Sequence, residues 1–325
     1  MKHQWLIFLF CLATQAFAQD IHWTQFNNNP IFQNPAGAGN FKEDLRLTAN
    51  YRTQWRSVSI PFQTTAIAGD TKWKNFGVGL NYFHDQVGDG KFQTNEVQLS
   101  LCKPFALNEK QALRPAIQIG FNQRQLNSNA FYFDSQYNGY IFDPTAPTNE
   151  VFQTASMTKP MLGLGLIHQL TLKNRIQLQS GLGIFNLTRP NQSFFNDNTQ
   201  RDIRVNLFSQ LRYQYTELLV FEPSMQLNIQ GSYRELTLGG TAQYLFSKKD
   251  KITLNAGSWW RAKDAICLQF GMARGPLATA LSYDFNYSSL VPASRGRGAF
   301  EISVSYVFSK FKTPPTQYRI CPDFI

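Results

Sequence analysis

The 325-residue chain contains no hydrophobic run long enough to cross a bilayer as a helix, which takes about 20 apolar residues. It is also poor in charge: Asp, Glu, Lys and Arg together make up 16%, against roughly 25% in soluble domains. Histidine occurs only 4 times, too rarely to build a metal site, and cysteine also 4 times, with no CxxC or mixed Cys/His ligand spacing. Basic residues exceed acidic ones, for a net charge of +10, but no dense basic run exists to grip nucleic acid. Attraction to anionic lipid or to an acidic partner is the better reading.

What is abundant is aromatic: 28 Phe and 13 Tyr, with aromatic residues at 14% overall. The N-terminus reads as an export signal. Lys2 and His3 lead into the apolar run Trp5–Ala13, and Ala16-Phe17-Ala18 supplies the small-x-small cleavage pattern, so Gln19 is expected to start the mature chain. Cys11 follows Phe10, too large for a lipoprotein signal. Removing residues 1–18 leaves Cys102, Cys267 and Cys321, an odd number that excludes a fully paired disulfide framework.

From Leu45 to Ser309 short segments alternate apolar and polar residues with period two, the mark of strands with two unlike faces. In the last one Phe300, Ile302, Val304, Tyr306 and Phe308 oppose Glu301, Ser303 and Ser305. In the first, Leu45, Leu47, Ala49, Tyr51 and Trp55 oppose Arg46, Asn50, Arg52 and Gln54. About fourteen such segments follow one another, each long enough for a tilted strand to span a bilayer, and the number is even as in bacterial single-chain barrels. If the chain starts in the periplasm, every second connection is short, while the longest ones, 126–158, 188–201 and 289–297, all fall on the opposite, outer side. In lipid, strands satisfy every backbone group only as a closed ring, so these observations predict an all-β, transmembrane antiparallel β-barrel of about fourteen strands in the outer membrane. The expected organisation is a signal peptide over 1–18, an N-terminal periplasmic segment over 19–44, the barrel over 45–309 and a periplasmic tail over 310–325.

Several elements carry information beyond periodicity. Near the start stand Gln25, Phe26, Asn29 and Pro30, then Asn34, Pro35, Ala36 and Gly39, then Arg52, Gln54 and Trp55, then Pro61 and Thr64. The end carries Glu301, Ser303, Tyr306 and Phe308 in the last strand, and Cys321, Pro322 and Phe324 in the tail. In this order the elements resemble the PorP/SprF family of outer-membrane proteins attached to the type IX secretion system of the Bacteroidetes. The middle of the chain matches only by strand pattern. Gly37 and Asp323 depart from the resemblance, standing where the family usually has Tyr and Arg. The resemblance implies a role in protein secretion or in surface-adhesin display, sometimes serving gliding motility. It also implies partners: a secreted adhesin or other type IX client, and periplasmic secretion-ring proteins.

The residues add their own expectations. The polar segment Gln19–Asn40 is read as folding against or into the periplasmic mouth as a plug, the alternative being a loose tail. Arg46, Arg52, Arg204 and Arg212 are expected to face inward with Glu96, Glu222, Glu235, Asp284 and Glu301. Together with Phe83, Phe208 and Trp259 they would fill the lumen, and the alternative is an open pore. The long connection 126–158 carries Phe131, Tyr132, Phe133, Tyr137, Tyr140 and Phe142, aromatics that suit a partner surface or, folded inward, a constriction. Lys248, Lys249 and Lys251 at one inner turn suit a rim that meets lipid headgroups. His84-Asp85 lies beside an outer connection without an evident serine, so neither catalysis nor a cofactor is expected. Cys102 and Cys267 both read as inward-facing, on segments too far apart to bridge. The runner-up function is an outer-membrane channel for small or long apolar solutes.

Overall fold

The computed structural model describes residues 20–56, 60–88, 92–127, 131, 133–147, 149, 154–195, 197–289 and 291–309. The expected signal peptide, Gln19, Tyr132 and the tail with Cys321, Pro322 and Phe324 lie outside the described residues.

Fifteen strand segments form one sheet. They are Leu45–Gln54 (β1), Phe62–Trp73 (β2), Phe76–Val87 (β3), Phe92–Cys102 (β4), Phe105–Asn108 (β5), Gln111–Gln125 (β6), Ser156–Lys173 (β7) and Ile176–Phe185 (β8). Then come Arg204–Gln214 (β9), Leu219–Gln230 (β10), Tyr233–Ser247 (β11), Ile252–Arg261 (β12), Ala265–Arg274 (β13), Leu277–Asn286 (β14) and Arg297–Phe308 (β15). Every pairing is antiparallel between neighbours, and β1 closes the ring by pairing with β15 from Leu45↔Phe308 to Gln54↔Ala299. β4 and β5 both pair with β6, β5 carrying on the line of β4, so fifteen segments make a closed fourteen-strand barrel. The connection 104–112, one of the short inner ones in sequence, is this protruding β5–β6 hairpin, because the ladder continues past Cys102. Trp55, assigned from sequence to the first strand, falls just outside it. Its φ of 60° breaks the extended backbone, and its ring packs against Phe62 at 4.6 Å.

The alternation resolves into two faces. Leu80, Leu99, Phe121, Phe270 and Ile302 are exposed, while their sequence neighbours Asn81, Ser100, Asn122, Gln269 and Ser303 are buried, and Leu47, Phe246, Tyr306 and Phe308 are exposed as well. That is the inverse of a soluble protein: an apolar outer wall for hydrocarbon and a polar interior. Connections 126–155, 186–203 and 287–296, the longest, share one end of the barrel, here called outer. The other, inner end holds the start of β1, the end of β15 and tight turns such as 174–175 and 275–276.

Candidate functional site

The interior is occupied by the protein's own N-terminal segment. Trp23, Thr24, Gln25, Phe26, Asn29, Ile31, Asn34, Ala36 and Ala38 are all buried, though they belong to no strand. The segment folds as three single turns, Phe26–Asn28, Pro30–Gln33 and Pro35–Gly37. Each Asn-Pro step starts one of the last two. Asn29 Oδ1 accepts from Phe32 N and Asn34 Oδ1 from Ala36 N, while the following proline sits where a helix leaves an N–H unpaired. Two small apolar clusters seat it: Ala36 and Ala38 with Cys102, Ile167 and Phe208, and Phe26 with Trp259, Ala265 and Cys267. Cys102 and Cys267 are therefore free thiols in two separate clusters. Phe83, Phe208 and Trp259 are buried, as a filled lumen requires.

The segment reaches further than the periplasmic mouth expected from sequence. Asn40 bonds to Gln179 near the inner end, whereas Asp20 pairs with Arg201 and Arg204 and bonds to Gln230 and Asn186 at the outer end. The reason is a ladder of charge along the lumen that a shorter plug would leave unpaired.

The densest part of that ladder joins residues far apart in sequence. Thr24 N and Gln25 N donate to the two carboxylate oxygens of Glu301, at 2.9 and 3.1 Å. Arg52 reaches Glu301 at 3.3 Å and Asp284 at 3.0 Å, and Arg261 reaches Asp284 at 3.1 Å. Both guanidinium groups donate to Thr24 Oγ1, which in turn donates to Asp284. Gln25 donates to Ser282 and accepts from Ser303 at 2.6 Å. Arg52, Asp284 and Glu301 are at most 4% exposed, so each carboxylate depends on these donors for the solvation it has lost. His22 lies between Arg52 and Glu235. Since arginine can only donate, Nε2 accepts from Arg52 at 3.3 Å, and the Nδ1 proton faces Glu235 at 3.3 Å. The ring is thus neutral, and burial pushes its pKa down to about 4. Burial acts to raise the Asp20 carboxyl, but Arg201 and Arg204 overcome it and hold it at about 2.

Of the inward-facing charges read from sequence, Arg46 pairs with Asp70 at 2.7 Å, Arg212 with Glu222, and Glu96 with Arg201 at 2.6 Å. Sequence reading missed Asp20, His22, Thr24, Arg114, Arg201 and Arg261. Arg114 donates to the carbonyls of Ala36 and Ala38, fixing the exit of the segment, and Gly39 N donates to Asp70. A period-two pattern assigns a face to a strand residue but says nothing of a segment outside the strands or of its contacts.

The named motif positions separate into three groups. Gln25, Phe26, Arg52, Glu301 and Ser303 meet around the densest network or the adjoining Trp259 cluster, and Gln54 accepts from Arg52. Asn29, Pro30, Asn34, Pro35, Ala36 and Gly39 shape the inner half of the segment. Outside both, Trp55 and Pro61 lie near the outer rim, Thr64 donates to Asp85, and Tyr306 and Phe308 face outward. At Gly37 a Cβ would sit 2.5 Å from the Pro30 carbonyl oxygen, so the turn as built has no room for a side chain.

In the outer connection Tyr137 and Phe142 pair as rings 5.3 Å apart, closing a small bridge, and Phe131 lies 6.1 Å from Phe133. Tyr140 is 97% exposed, with Tyr137 and Ile141 also open to solvent. His84 bonds to Asn95, and Asp85 accepts from Thr64. Below the segment, toward the inner end, a cavity of about 770 Å³ remains, lined by amides such as Gln169, Gln179 and Gln210 and by charged groups such as Arg46, Arg212 and Glu222.

Residues 15–306 match the family described as type IX secretion system membrane protein PorP/SprF. Among solved structures, the Ralstonia pickettii toluene transporter TbuX is similar with a TM-score of 0.55 at 11% identity, covering 86% of this chain and 94% of that one. The Pseudomonas putida toluene transporter TodX gives 0.54 at 9%, covering 88% and 94%. A Pseudomonas aeruginosa FadL homologue gives 0.50 at 13%, covering 86% and 94%. At such identities the likeness is one of fold, an outer-membrane barrel. A search among curated proteins gives no match.

Proposed function

Because the chain belongs to the PorP/SprF membrane proteins of the type IX secretion system, we propose that it is a non-catalytic outer-membrane component of protein secretion that holds a secreted adhesin or another client at the cell surface, with gliding motility as one outlet. The observation that supports this reading is the combination of a lumen filled by residues 20–40 with an exposed aromatic loop above it. A filled barrel suits an anchor better than a conduit, and exposed Tyr and Phe on a folded loop suit a protein partner. On this reading the inner rim faces the periplasmic ring of the machinery. The test replaces 131–142 with a Gly/Ser linker: the barrel should still assemble, and the surface-held client should be released into the medium. Unchanged retention of the client would reject the loop as its holder.

A second reading, a channel for small or apolar solutes, draws on the fold shared with the toluene transporters and on the inner cavity. It predicts conductance or solute uptake by the intact purified barrel, whereas the anchor reading predicts neither until residues 20–40 are deleted.

A further inference from the structure

At the inner rim the strands end at unequal heights. β3 turns back at Phe76, while β4 runs on through Lys103 and Pro104 into β5. A notch is left between the β2–β3 turn and β5, and among the described residues β5 pairs only with β6. Lys103 N donates to Pro115 O, so the alternation of an antiparallel ladder turns the N–H and C=O of Ala106 toward the open side.

Around this notch stand aromatic rings and ammonium groups. Trp73 and Phe105 are 60% and 48% exposed. The Lys103 ammonium lies 4.6 Å from the Phe76 ring centre and 5.9 Å from that of Phe105, and the Lys74 ammonium lies 5.4 Å from that of Trp73. Neither lysine is in an ion pair among the described residues, unlike Lys248, which meets Glu217 at 2.9 Å. Directly above, on the outward face, Val78 pairs with Leu101 and Leu80 with Leu99, an apolar strip.

The geometry points to a binding site for one anionic phospholipid of the periplasmic leaflet, its phosphate held by Lys74, Lys103 and the Ala106 N–H and its chains lying on the strip from Val78 to Leu101. The aromatic rings mark the depth of the membrane interface, where indole and phenyl groups settle. Ammonium groups held over those rings stand at headgroup height. Basic residues near a membrane surface attract anionic lipid by about 1 kcal/mol each, which two lysines turn into a preference of about thirtyfold. A periplasmic protein would also find charge here, but it would leave the strip in the hydrocarbon unused, whereas a lipid occupies both.

The test is native mass spectrometry of the full barrel in neutral detergent, given equal phosphatidylglycerol and phosphatidylcholine with identical chains. Phosphatidylglycerol should be retained about thirtyfold over phosphatidylcholine. The K74Q/K103Q pair should bring the two lipids near parity, and K249Q/R274Q, at other inner turns, should leave the preference intact. Heat-dependent migration in SDS confirms that each variant is a folded barrel. Equal retention of both lipids by the wild type overturns the proposal. So does an equal loss in the K249Q/R274Q pair, which would mean diffuse attraction along the rim. Displacement of the lipid by excess inorganic phosphate would show an anion site indifferent to chains and would overturn it as well.

Discussion

Arg201 in the β8–β9 connection lies 2.7 Å from Asp20 of the N-terminal segment, and the same guanidinium holds Glu96 of β4 at 2.6 Å. One outer-loop residue thus ties the far end of the segment to the barrel wall. The loop itself folds inward there, with Phe194 buried against Phe92 and Arg124 reaching Gln192.

Replacing Arg201 with Ala is therefore expected to loosen the segment more than any surface change. Asp20 and Glu96 would be left buried with fewer partners, and breaking a buried pair from one side costs about 3–5 kcal/mol. Limited proteolysis of the folded barrel should then cut within residues 20–40, while the strands stay protected. Arg201→Lys should restore part of the protection by replacing the charge without the planar fork.

Acid should release the segment in two stages. A released His22 takes up its proton near pH 6.5, but the docked one only near pH 4, so docking weakens by about 1.4 kcal/mol per pH unit across that window. Asp20 has an ordinary value of 3.8 and a docked value of about 2, so its contribution, present above 3.8, disappears between the two. Protease accessibility of residues 20–40 (with an acid-active protease at the low end), or single-channel conductance, measured from pH 7 to pH 2, checks this. His22→Gln should flatten the upper stage and leave the lower one in place.

Gly37→Ala should weaken docking by about 1–3 kcal/mol, the usual cost of forcing a methyl into a packed site, because its Cβ would meet the Pro30 carbonyl oxygen at 2.5 Å. Gly39→Ala should cost more than an ordinary glycine replacement, since its φ of 64° lies in the left-handed region and its Cβ would approach Gly77 Cα at 2.8 Å. Proteolytic release of the segment reads both. Wild-type protection in Gly37→Ala would mean that the turn moves aside, as it must to take the Tyr usual in the family.

The sequence by itself determined the barrel. Period-two alternation decides which side of each strand meets hydrocarbon, and a membrane permits strands only as a closed ring, so pattern and solvent together leave one architecture. It also marked Arg52, Gln25 and Glu301 as distinctive positions through their place in a family pattern. Only the tertiary structure decided that these three meet, together with Thr24, Asp284 and Arg261, because closing the ring pairs β1 with β15, which also pairs with β14, and a segment outside every strand lies against their inner faces. Periodicity is a local property of the chain, whereas the pairing of buried charges depends on which strands become neighbours and on what lies inside them, and that is fixed only when the ring closes.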